Sequence, residues 1–263
     1  MQVAITVLIA AAGLIVGSFL NVVVLRLHAG KQFVKGHSEC PNCHHVLGPL
    51  ELIPVVSWLL LRGRCRHCHK PISPQYPLVE LATAALFVAA YLTQPHHDVA
   101  NVVVLLIWLY IIASFIVLTV YDLRWYLLPD KVLLPLLVPA AAICLGEALH
   151  HHSGALLLHT ITASVLFGGF FYLLALVSKG RWMGGGDIKL AFVMGLLLGL
   201  QKTALAMFVA FDVAALVGVG LILVHRKKSS DLIPFGPFLM GGTLVAYYWG
   251  SPLIHWYLQA SAF

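Results

Sequence analysis

Charge is the scarcest property of this sequence. Only 10% of its residues are Asp, Glu, Lys or Arg, against about 25% in soluble domains. That shortfall, with 60% hydrophobic residues and a mean hydropathy of +0.93, excludes an ordinary soluble domain. Also missing is any Gly-rich strand-to-helix fingerprint of a soluble nucleotide-binding fold, and the longest polar loop is too small to hold one. The opening residues Met1, Gln2 and Val3 carry no positive charge, and no small-residue cleavage site precedes the polar loop. The first apolar run therefore reads as a retained helix rather than a removable signal. No internal repeat or low-complexity stretch is evident, and the lack of an inverted repeat counts against a transporter built from two halves.

What is present is a series of long apolar runs. They predict an all-α polytopic membrane protein with about eight transmembrane helices, over 3–25, 78–92, 102–120, 132–149, 155–178, 188–200, 204–224 and 233–249. The runs at 78–92 and 188–200 are short and need tilt, bilayer thinning or extension into their flanks. A net charge of +6 invites a nucleic-acid partner, but the placement of the basic residues argues for a topology signal. Arg26, Lys31, Lys35, Arg62, Arg64, Arg66 and Lys70 fall in the first connection. Arg124 and Lys131 flank the third, Lys179, Arg181 and Lys189 the fifth, and Arg226, Lys227 and Lys228 the seventh. With eight spans, fifteen of the sixteen share one side, Lys202 being the exception. The positive-inside rule makes that side cytoplasmic and puts both termini outside. His96, His97 and His150 to His152 then fall in external loops, where solvated side chains are the plainer reading than metal ligands.

Against this background two acids stand out. Asp122 closes an apolar run in LTVYDLRWYLLPD, and Asp187 opens another in RWMGGGDIKLAF. An ionisable residue at a membrane helix end is costly to desolvate and is rare without a function or a partner. The predicted topology puts both at the cytoplasmic mouth, at matching depth, where two carboxylates can share one proton as in an aspartic protease. Gly184, Gly185 and Gly186, just ahead of Asp187, would let backbone approach a bound peptide closely and adopt positive φ. Asp130, after Leu128 and Pro129, competes with Asp122 for the role, although a turn or helix-start acid is the simpler reading. Asp212 falls mid-helix, where it is either protonated and hydrogen-bonded to a neighbouring helix or lining a polar pocket.

The large polar loop carries two CxxC pairs, Cys40 with Cys43 and Cys65 with Cys68, separated by residues 44 to 64. Each pair can form one knuckle, and four thiolates make the closed tetrahedral site that structural zinc prefers. Disulfides rarely persist on the cytosolic side, and a redox role is disfavoured by two pairs at ribbon spacing. His44, His45, His67 and His69 sit beside the cysteines, so a ligand swap is conceivable. A bound metal would supply folding energy to a loop too short for its own core. Cys144, within a span, reads as a packed thiol.

Taken in order, these segments resemble bacterial type IV prepilin peptidases. Gly184 to Asp187 followed by Ile188 and Lys189 is similar to the GxGD signature of intramembrane aspartic peptidases. YDLRWYLLPD resembles the first active-site segment. GSFLNVVVLRL, the four-cysteine loop, PQYPLVEL and IPFGPFL extend the likeness through nearly the whole chain. The resemblance implies a bacterial inner-membrane enzyme that removes the short basic leader of prepilins or pseudopilins after a glycine. It also implies methylation of the new N-terminal residue with S-adenosylmethionine. By position it makes Asp122 and Asp187 the catalytic pair and Cys40, Cys43, Cys65 and Cys68 the metal ligands. Glu80, at the start of the second helix, is a candidate for methyl transfer or for binding the substrate amine, with a charge snorkelling to the interface as the alternative. The expected organisation is a first transmembrane helix (1–27), a zinc-binding loop (28–77) and a transmembrane peptidase core (78–263). Membrane transport, or a non-enzymatic zinc-ribbon scaffold, are the rival readings. Partners are membrane-borne pilin precursors and lipid, not nucleic acid.

Overall fold

A computed structural model describes residues 2–32, 36–94, 98–224 and 233–260. Lys35, His96, His97 and Arg226 to Lys228, all used in the topology argument, lie outside the described residues. Among those described the chain is helical with no strand, only two isolated bridges in the cysteine loop. Six helices are long and apolar enough to cross a membrane, so this is a multi-pass membrane protein. The helices are α1 (Gln2–His28), α2 (Val56–Leu60), α3 (Gln75–Thr93), α4 (Val99–Trp125), α5 (Asp130–Leu133), α6 (Leu137–His150), α7 (Gly154–Ser178), α8 (Gly185–Leu223) and α9 (Gly236–Ala260). The chain divides into two compact units, Met1–Val117 and Leu118–Phe263.

In the first unit α1 packs on α3 through a small-residue stripe. Lipid tails are as apolar as leucine, so close van der Waals approach and interhelical hydrogen bonds drive association. Gly13 and Gly17, four apart, provide that approach. A Cβ on Gly13 would meet the Ala84 Cα at 2.6 Å, and one on Gly17 the Glu80 Cα at 2.7 Å. Beside the stripe the buried Asn21 donates to the carbonyls of Gly17 and Tyr76 and accepts from Gln75 Nε2 at 3.1 Å. Its polar atoms are thus paired in an apolar setting, as burial requires. Helix α3 has 19 residues, longer than the expected 78–92 run, because PQYP starts the helix earlier.

In the second unit α7, α8 and α9 form the packed body. Helix α8 has 39 residues; as a straight rod it would be about 58 Å long, nearly twice the ~30 Å hydrocarbon core. It is not straight. Gly199 has φ 69° and ψ −178°, a region open essentially only to glycine. The Thr203 hydroxyl donates to the carbonyls of both Gly199 and Met194. Residues nine apart on one straight helix are separated by about 13 Å, so the second bond requires the chain to fold back at Gly199. The first part of α8 lies against α7, with Ser164 donating to the Phe192 carbonyl at 2.8 Å and Gly195 against the Ser164 backbone. The second part lies against α9, with Gly242 on the Ala206 carbonyl and Gly250 beside Lys202. Lys202, the basic residue off the charge pattern, lies within electrostatic reach of Glu147. Asp212 is exposed on this second part.

A methyl at Gly199 would force an L residue into a forbidden backbone region. Gly199→Ala should cost about 1–3 kcal/mol, lowering the thermal unfolding midpoint in detergent. Gly220→Ala, with open space around its Cβ, should leave that midpoint unchanged.

Candidate active site and metal centre

Asp122 lies in the last turn of α4, which runs on to Trp125 rather than closing at 120. Its side chain is 5% exposed. The Oδ2 atom accepts the backbone N–H of Gly236 at 3.0 Å, the first residue of α9, where unpaired N–H groups favour an acceptor. A Cβ at Gly236 would sit 2.7 Å from that oxygen, so a larger residue would push the carboxylate out of this position. Asp187 is the third residue of α8, and its Oδ2 accepts the N–H of Gly184 at 3.3 Å, closing the helix start. Asp187 is half-buried and within electrostatic reach of Asp122. Leu128 links the two surroundings: it touches both Gly186 and Gly236. In each acid Oδ2 is held by a backbone N–H, leaving Oδ1 for water, a shared proton or a substrate carbonyl.

The glycines depart from expectation in their backbone conformation. Gly184, Gly185 and Gly186 do not have positive φ, and the last two already belong to α8, because Asp187 caps the helix through Gly184. What they supply is room: a Cβ on Gly186 would meet Leu128 at 2.7 Å, while Gly185 faces open space. Asp130 is exposed and ion-paired with Lys189 at 2.6 Å, tying α5 to α8. Leu128 and Gly236 were not singled out from the sequence as site residues. For Gly236 the signal was IPFGPFL, a glycine placed one residue before a proline at a helix start.

Glu80 lies in the first unit and is 6% exposed. Its Oε2 accepts the backbone N–H of Val55 at 2.7 Å, and the Ser18 hydroxyl lies beside it. Val55 has φ 61°, a strained value for a β-branched residue. The carboxylate therefore pins a strained turn of the cysteine loop onto α3.

The four loop cysteines converge, their Sγ atoms all within 4.8 Å of one another, and all five cysteines of the chain are free thiols. Cys40 and Cys68 are 3.9 Å apart, close to the ~3.8 Å between thiolates bound to one tetrahedral ion at ~2.3 Å. Two similar knuckles build the cluster. His44 N–H donates to Cys40 O and His69 N–H to Cys65 O, and both histidines have positive φ. The repeat is legible as CPNCHH and CRHCHK, too short to register as a repeat on a reading for long periods. Backbone N–H groups of Cys68 and His67 lower the Cys65 thiol to about 7. The Cys43 thiol receives a lowering N–H from His45, yet desolvation and the thiols of Cys40, Cys68 and Cys65 push it up to about 11. Four thiolates this close would repel one another, and a divalent cation among them would offset that repulsion. The cluster can hold a metal ion. Cys144 is buried against the Thr160 hydroxyl at 2.7 Å.

A helical membrane protein with a carboxylate pair at two helix ends and a four-thiol loop is the class this geometry defines. The bacterial peptidase A24 N-terminal domain matches residues 11–94, and the type IV leader peptidase family matches 104–219. A protein of Aeromonas hydrophila named prepilin leader peptidase/N-methyltransferase is 34% identical, over 93% of this chain and 91% of its own length. Proteins of the same name from Bacillus subtilis (33%; 94% and 95%) and Pseudomonas aeruginosa (34%; 95% and 92%) are similar to the same extent. The chain belongs to the type IV leader peptidase family. No solved structure matches it significantly.

Cobalt(II) added to metal-free protein should give thiolate-to-metal charge-transfer absorption of a tetrahedral site. Cys65→Ser should weaken it strongly, and Cys144→Ser should leave it intact.

Proposed function

We propose that this chain is a membrane-embedded aspartic endopeptidase that removes the leader of type IV prepilins or pseudopilins on the cytoplasmic side and N-methylates the new terminus. Membership of the leader peptidase family makes it a peptidase. The names of its relatives supply the prepilin substrate and the methyl transfer. The observation that carries the aspartic mechanism is the approach of Asp122 and Asp187, each with one oxygen held by a backbone N–H. In this reading one aspartate, ionised, takes a proton from water as general base. The other, protonated, polarises the scissile carbonyl, and the roles exchange as the amine leaves. The ion pair of Asp130 with Lys189 favours Asp122 over Asp130, because a carboxylate committed to a cation at 2.6 Å is a poor base.

The eight-span topology belongs to the same proposal: the fold-back at Gly199 supports counting α8 twice, and α9 supplies the last crossing. It sets both aspartates at the cytoplasmic mouth, where water reaches them and an apolar pilin helix can enter from the bilayer. The division into a first helix (1–27), a loop (28–77) and a peptidase core (78–263) goes with it. The four thiolates would hold zinc, whose closed coordination makes it a structural tie between the two knuckles. S-adenosylmethionine supplies the methyl group in the methyl-transfer half. Glu80 enters there as a positioning residue, since its carboxylate anchors Val55 and so the loop.

Asp122→Asn and Asp187→Asn should each reduce leader removal by at least about a hundredfold in a membrane assay while the protein still accumulates. Asp130→Asn should retain it, and the reverse pattern would mean the wrong acid has been assigned. Asp187→Asn should still methylate a pre-cleaved pilin peptide, read by mass spectrometry of its N-terminus after S-adenosylmethionine is added. Loss of methylation in the folded variant would show that the two sites overlap.

A further inference from the structure

Beside the four thiols lies a second cluster of metal-ligating groups that neither reaction uses. His45 follows the first knuckle, His67 sits inside the second, and Glu51 belongs to the short turn Pro49–Leu52. One ligand atom from each lies within 4.8 Å of the other two. The imidazoles of His45 and His67 approach to 3.4 Å between ring centroids, tilted by 35°, although both side chains are exposed. Exposed rings gain little from such a contact, so their pairing reflects where the two knuckles hold their backbones. Each backbone is fixed: the His45 carbonyl accepts the Cys40 N–H, and the second knuckle is closed by the His69 N–H on Cys65. The carboxylate is fixed as well, with Glu51 Oε2 accepting the Gly48 N–H at 2.9 Å and the other oxygen left to a ligand.

We propose that His45, Glu51 and His67 form a second, exchangeable site for a borderline divalent cation such as Zn²⁺, bridging the two knuckles beside the four-cysteine ion. Two imidazoles and a carboxylate are the donors such ions accept, and bonds of ~2.0–2.2 Å need only small side-chain rotations to close the cluster. Three protein ligands leave at least one position to water, unlike the closed four-thiolate site. The exposed ion therefore exchanges with solvent while the thiolate-bound ion stays.

The test uses the full-length protein in detergent with its thiolate-bound metal in place, titrated with Zn²⁺ alone and followed by equilibrium dialysis and elemental analysis. Wild type should rise from about one to about two ions per chain. The second ion should bind at least about tenfold more weakly in His67→Ala and in Glu51→Gln. In parallel, Co²⁺ added to metal-free variants should give undiminished thiolate charge-transfer absorption. Glu51→Gln guards against a misfolded knuckle, because residue 51 lies outside both CxxC turns and its amide oxygen can still accept from Gly48. A wild-type protein that saturates at one ion, or variants that bind the second ion as tightly as wild type, would overturn the proposal. So would loss of the thiolate absorption in Glu51→Gln, which would make the two clusters one site.

Discussion

The hydrogen bond from the Gly236 N–H to Asp122 is the contact on which the arrangement of acids depends. Asp122 closes α4 and Gly236 opens α9, so one bond joins two helix ends 114 residues apart in the chain. It answers a need on each side: a buried carboxylate must have donors, and the first N–H groups of a helix have no acceptor of their own. Glycine suits the position because a Cβ would crowd the carboxylate oxygen and displace it. Leu128 then fills the space between Gly236 and Gly186, setting the start of α8, and with it Asp187, against the same group. Asp130 with Lys189 repeats the tie at the surface.

Small residues perform the same service along the helices. With lipid outside there is little hydrophobic gain from burying leucine, and large apolar side chains such as Leu8, Leu173 and Leu223 remain exposed. What holds the helices is close backbone approach at Gly13, Gly17, Gly195 and Gly242, reinforced by side-chain bonds from Asn21 and Ser164. These bonds matter where water cannot compete for the same groups.

The cysteine loop follows a different logic. It is too short to bury a core of its own, and its two knuckles meet through four thiols whose Sγ atoms lie within 4.8 Å of one another. Glu80 ties it to the helices by accepting from Val55, holding a backbone conformation that valine resists. The Glu80 side chain positions a loop too short for its own core, and a metal ion on the four thiols would add a second tie.

Most of the class was legible in the residues. Low charge and long apolar runs determine a polytopic helical membrane protein, because unpaired backbone cannot cross lipid. The CxxC spacing determines a thiol cluster, and Asp122 and Asp187 stand out because acids at helix ends in lipid are costly. Tertiary structure alone decided the rest. The break between the runs 188–200 and 204–224 was legible in Gln201, Lys202 and Thr203, but not that one backbone angle at Gly199 makes the turn without ending the helix. Nor can a hydropathy profile see that Gly186 acts through room for Leu128 rather than through positive φ, that Glu80 anchors Val55, or that Gly236 holds Asp122. Local pattern reports what each residue costs to bury, whereas the partner that offsets the cost comes from a segment brought close only by packing.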